Sequence, residues 1–194
     1  MATERPNDLP IELFADADAW ERWLVAHPRA PGLWLKIAKK GQGVSSVSYT
    51  EALDVALCHG WIDGLKRSCD ERYFLQRFTP RRPRSVWSKI NIGKVEALTA
   101  AGRMRPAGLR EVEAAQADGR WQAAYDSSST IEVPEDLAAA FKKNAKAKRF
   151  FEQLDRTNRY AVLWRVQTAK KPETRAARIE KLVAMLGRGE KIHG

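Results

Sequence analysis

Cys58 and His59 are neighbours, and Asp63 follows the histidine by four residues, so this stretch invites a test for a nucleophile and its base. Adjacent residues on a helix point about 100° apart, so Cys58 and His59 cannot face each other as a dyad. His59 and Asp63 would share a helical face, with the carboxylate orienting the imidazole, but Gly60 interrupts the helix between them. His27 precedes Pro28 at an expected helix end, and His193 lies in a tail expected to fray. Cys58 and Cys69 with one nearby histidine match no common zinc spacing, and no phosphate-binding glycine loop, dinucleotide fingerprint or nucleophile elbow is present. No metal and no cofactor is therefore expected. A hydrolase or transferase built on Asp63, with His59 or an arginine as its electrostatic partner, is kept as one alternative.

Binding chemistry is better represented. Asp63 stands in Gly-Trp-Ile-Asp-Gly, read as a turn that exposes its carboxylate or bonds it to its own backbone. Lys66, Asp70, Arg72 and Arg77 follow on an expected hairpin, and Thr-Pro-Arg-Arg-Pro-Arg sets Arg81, Arg82 and Arg84 on a proline-stiffened segment that loses little entropy on binding. Guanidinium forks match carboxylate or phosphate two bonds at a time, and Trp87 offers a ring for stacking on a sugar or base. Residues 65–94 hold nine basic and two acidic residues. The pattern predicts a cleft near Asp63, Arg81 and Trp87 for a small anionic or carbohydrate-like ligand. Against it stands a structural account, in which Ser85 or Ser88 caps a helix and Trp61 and Trp87 pack in the core.

Charge is unevenly distributed. Residues 1–141 carry 19 basic and 19 acidic residues, whereas residues 142–194 carry 15 and 5, so the whole net charge of +10 lies in the last quarter. That block is either a solvated helical face or a surface for a polyanion, which makes nucleic-acid binding through the C-terminal helices the second alternative. The N-terminal residues lack an apolar signal region, and no window approaches the roughly 18 apolar residues of a membrane span, so a cytoplasmic protein without a membrane span is expected. Two cysteines are too few for a disulfide framework, and both are expected reduced, with Cys58 buried.

These groups need elements to position them. Residues 16–28 space Trp20, Trp23 and Leu24 as one helical stripe, with Asp16 or Asp18 as the cap. Leu33, Leu35 and Ile37 alternate with Trp34 and Lys36 as in a half-buried strand. Ser48 and Glu51 form a capping box for the next helix. Residues 62–80 predict paired strands stopped by Pro80, and helices follow from Ser85, from Pro106 to Gly119, and from Pro134 to the end, the last framed by Pro172 and Gly187. The fold class is α+β: a small antiparallel sheet packed with helices, then a mostly helical module. Residues 1–126 are expected to form the α+β domain and residues 127–194 the basic helical module, joined through the serine-rich run at 127–130.

Taken together, "LWLKIAKKG", "EALDVALCHGWIDG", "RYFLQRFTPRRPRSVWSKIN" and the terminal helical block resemble the YdeI/OmpD-associated, or bacteriocin-protection, family from about Trp20 to Gly187. The resemblance implies a role in bacterial stress or protection against antimicrobial peptides, and it marks Trp61, Asp63, Arg81, Trp87 and Asn91 as motif members. It supplies no catalytic residues. His59 stands where relatives more often carry an aromatic residue, which counts against a catalytic histidine.

Overall fold

The computed structural model describes residues 9–194. The chain divides into two compact units: the first takes the chain to Ser85 and again Asn91–Gln122, and the second takes Val86–Ile90 and Ala123–Gly194. The described residues form one four-stranded sheet and eight helices, an α+β fold.

In the first unit, β1 (Ile11–Glu12), β2 (Leu33–Ala38), β3 (Trp61–Ser68) and β4 (Tyr73–Pro80) lie in the order β1-β2-β4-β3. The β2-β4 and β3-β4 pairs are antiparallel, as the alternation predicts, while the short β1 adds a parallel edge that makes the sheet mixed. Gly-Trp-Ile-Asp-Gly is not a turn. Gly60 alone makes the turn, at φ 75°, and the next four residues open β3.

Strand alternation gives the sheet two unlike faces. Leu33, Leu35, Ile37 and Phe78 point inward toward α1 (Ala17–Ala26) and α2 (Tyr49–Cys58). Trp20 of α1 is fully buried, with its ring 5.9 Å from Phe78 and 6.0 Å from Trp61, and its indole N–H donates to the Ala52 carbonyl of α2 at 3.1 Å. The caps follow the sequence: the Ala19 amide donates to Asp16, and Ser48 and Glu51 exchange both capping-box bonds.

The helical continuation from Ser85 starts later than expected, because α3 spans Lys89–Ala100. Residues 85–87 form no regular element, and Ser88 bridges in parallel to Tyr125 within the second unit. Pro106 opens α4 (Pro106–Ala117). Gly108 of α4 lies against the end of α2 so closely that a Cβ there would stand 2.3 Å from the Cys58 carbonyl oxygen.

The second unit packs α5 (Glu135–Lys143), α6 (Ala145–Glu152), α7 (Arg156–Gln167) and α8 (Pro172–Gly187) around Leu137, Phe141, Phe151, Val162, Leu163 and Leu186. Asn144 caps α6, and Asp155 caps α7 through the Asn158 amide. Asp126 receives Lys89 at 2.7 Å and the Gln167 side-chain amide, and its own backbone N–H donates back to Gln167. His193 is not frayed: its amide donates to the buried Asn158 side chain at 2.8 Å, and neighbouring Ile192 packs on the core.

Two predictions follow from this packing. Gly108→Ala forces a methyl into backbone, so it should cost about 1–3 kcal/mol or more, read as a lower denaturant midpoint. In the second unit, hydrogen bonds from Lys89 and Gln167 hold the Asp126 carboxyl below its usual range, as Arg175 does for Asp136 against the opposing effect of burial. A depressed folded pKa contributes stability above the unfolded value of about 3.9, lost as pH falls through the folded value. Thermal midpoints should therefore be nearly flat from about pH 7 to 5 and fall below about 4, with a shallower acid limb in Asp126→Asn.

Candidate functional site

The outer face of the sheet carries Trp34, Lys36, Tyr73, Leu75 and Arg77, joined by Arg67 of β3 opposite Leu75. Trp34, Tyr73 and Leu75 are nevertheless buried, and long cationic side chains lie over the Trp34 and Tyr73 rings. The Arg67 guanidinium stacks 4.4 Å from the Trp34 ring centre, and the Lys36 ammonium sits 4.3 Å above Tyr73. Each such contact is worth about 0.5–1 kcal/mol where solvent reaches it. Asp70 in the β3-β4 turn is the acid of this face. Partial desolvation pushes its carboxyl up, but backbone bonds from Tyr73 and Arg72 and the Lys36 contact at 3.3 Å hold it below the usual range.

Arg77 differs from its neighbours. It is half-buried, forms no ion pair among the described residues, and its Nε is buried without a hydrogen-bond partner there. The side chain reaches across β3 at Gly64, where a Cβ would stand 3.1 Å from the guanidinium nitrogens. Gly64 is thus the gap through which Arg77 passes. The register shifts between Asp63 and Lys66, and the buried Gln76 amide donates to the Gly64 and Leu65 carbonyls of this bulge at 2.9 and 3.3 Å.

The structure sorts the residues expected from sequence. Lys66 and Arg77 share the hairpin, with Lys66 lying 4.1 Å above Phe74. Asp63 is on the inner side and accepts from the Tyr49 hydroxyl at 2.8 Å. Trp61 is a core ring, edge-on to Trp20 and Trp23. Arg81 is buried, with its amide donating to the Gly60 carbonyl, while Arg82 is exposed. Asn91 is buried in the first unit, and Trp87 is buried in the second. Trp34, Lys36 and Arg67 were the residues missed as site members. The alternation had placed Trp34 and Lys36 opposite the core, so the signal was present.

His59 lies elsewhere in the same unit. Its Nε2 is 3.1 Å from Glu21, which also receives Arg105 at 2.8 and 2.7 Å, so Glu21 orients the imidazole in place of Asp63. Burial raises the Glu21 carboxyl, but the His59 and Arg105 bonds outweigh it and leave it below its ordinary value. These three border a groove of about 780 Å³ between α1 and α4, with Val25, Ala26 and Pro106 as apolar lining. Cys58 is buried and its thiol is pushed up by that burial, which disfavours a thiolate nucleophile. The described residues hold no cluster of metal-ligating side chains and no helix long and apolar enough to cross a membrane.

An α+β unit with a cation-covered sheet face, followed by a helical unit, is the class that these features define. Residues 12–111, slightly more than half of the chain, match the family model described as Domain of unknown function (DUF8412), and the chain belongs to that family. Residues 130–189 match the model described as Bacteriocin-protection, YdeI or OmpD-Associated. The resemblance read over Trp20–Gly187 is thus matched in the C-terminal block, while the Gly-Trp-Ile-Asp-Gly and Phe-Thr-Pro-Arg-Arg motifs fall within the other model. No curated protein and no solved structure matches the chain.

Thiol titration checks the site's burial pattern. Exposed Cys69 should react with an aromatic disulfide reagent in the native protein, and Cys58 only on unfolding. Two fast thiols in the native state would contradict the packing of α2 against α4.

Proposed function

We propose that this chain is a protection-type protein, in the sense of the family name matched by its C-terminal block, that works by holding a small anionic ligand on the outer sheet face of its first unit. The observation that carries this reading is Arg77: a half-buried cation threaded over Gly64 without an acidic partner among the described residues. Leaving a buried guanidinium N–H unsatisfied costs about 1–3 kcal/mol, an expense that a bound carboxylate or phosphate removes. Arg67 and Lys36 flank it, each held in place by a ring beneath, so a ligand meets pre-positioned donors instead of ordering flexible ones. A guanidinium stacked flat on an indole keeps its N–H edges in plane for two parallel bonds to one anion. Arg81 and Asn91, buried in the same unit, act in this reading as support, and the ligand chemistry is that of phosphate or carboxylate.

The test is a thermal-shift scan of the intact protein with inorganic phosphate, sugar phosphates, citrate and short acidic peptides. A ligand at about a hundred times its dissociation constant adds about 2.7 kcal/mol. Arg77→Gln should abolish the shift while leaving the unliganded protein as stable as before or slightly more so, since a poorly satisfied buried donor is removed. Gly64→Ala should weaken binding with little loss of stability, because only the flexible tip of Arg77 must move. A shift retained in full by Arg77→Gln would sink the reading.

A further inference from the structure

We infer that the second unit holds a separate binding pocket for a small amphiphilic anion, a carboxylate or phosphate head carried on an apolar body. The pocket lies between α7, α8 and the C-terminal residues, with a volume of about 550 Å³. Its charged lining is entirely cationic: Arg165, Arg178, Lys181 and Lys191. None of the four forms an ion pair among the described residues, and Asp155 feels the Lys191 charge without pairing with it. Four converging positive charges repel one another, and an anion in their midst relieves that repulsion.

Two of these cations are fixed before any ligand arrives. Arg165 donates one Nη1–H to the Ala161 carbonyl at 3.1 Å, and Arg178 donates one to the Arg165 carbonyl at 2.7 Å. Both are half-buried, and a guanidinium has five N–H groups, so donors remain for a second acceptor. The apolar body has its own place, because Trp164, Leu182, Met185 and Ile192 complete the lining. The wall that brings Lys191 and Ile192 is held by the bond from the His193 amide to Asn158. A volume of this size fits a small organic molecule, and the mixture of fixed cations with an apolar floor selects against both bare phosphate and apolar cations. A polyanion would use exposed lysines on an open surface and would not need the floor.

Isothermal titration of the full chain with octyl phosphate and octanoate tests the pocket, with inorganic phosphate, octyltrimethylammonium and a short DNA duplex as comparisons. One-to-one binding of the octyl anions, at least about tenfold tighter than inorganic phosphate, is expected. Arg178→Gln, and independently the exposed pair Lys181→Glu with Lys191→Glu, should each weaken octyl phosphate by about tenfold or more. The titrations are made in an Arg77→Gln background, which removes the proposed sheet-face site, so the one-to-one binding that remains reads this pocket alone. Equal binding of octyltrimethylammonium, octyl phosphate binding untouched by both sets of pocket variants, or binding of the DNA duplex alone would overturn the assignment.

Discussion

α1 and α2 cover one face of the sheet, and on the opposite face the rings of Trp34 and Tyr73 lie beneath cationic side chains of that face. Lysine and arginine are suited to this, since their methylene stems lie on apolar surface while the charge stays in water. The consequence runs through the first unit. Arg67 lies over Trp34 and Lys36 over Tyr73, and Arg77 passes over β3 at Gly64, where a Cβ would crowd its guanidinium. The bulge beside Gly64 exposes two carbonyls, and Gln76 is buried to satisfy them. The outer sheet face thus accounts for the basic surface and the glycine together, while the buried glutamine answers the bulge from the inner face.

Much of this scaffold is legible in the sequence where local rules act alone. The capping box at Ser48 and Glu51, the Asp16 cap, Pro106 and Pro172 at helix starts, and the period of Leu33, Leu35 and Ile37 all depend on neighbours within a few residues, and all appear in the structure. The site is less legible because it depends on register. Two glycines flanking Trp-Ile-Asp resemble a turn, yet Gly60 makes the turn and Gly64 makes room for an arginine on another strand. Nothing local distinguishes those roles. Likewise Arg81, Arg82 and Arg84 look equivalent in a proline-spaced run, but Arg81 alone folds inward. Glu21 and Arg105 lie far from His59 in sequence, so their ion-pair network was invisible until α1 and α4 were placed.

The two units treat positive charge in a similar physical manner despite unlike architecture. In each, ion-paired arginines such as Arg105 and Arg175 stand beside arginines that meet another kind of group: the Trp34 ring for Arg67 in the first, carbonyls of α7 for Arg165 and Arg178 in the second. A carboxylate partner would neutralise the charge locally, whereas the α7 carbonyls orient Arg165 and Arg178 without forming an ion pair among the described residues. The net charge of +10 is therefore an incomplete description of this chain, since what matters is how many of its cations are held still without being neutralised.

The placement of Val86–Ile90 has a further consequence for how the chain is made. This short segment belongs to the second unit but interrupts the first, which resumes at Asn91. Its backbone pairs with Tyr125, and Lys89 closes on Asp126, both added to the growing chain some forty residues later, so the segment is synthesised well before its partners exist. The residues of the first unit are all present once Gln122 has emerged, while this segment waits for Tyr125 and Asp126. Folding from the ribosome is accordingly interleaved, and a single cut near residue 123 would remove from the second unit a buried tryptophan that lies on the far side of the cut.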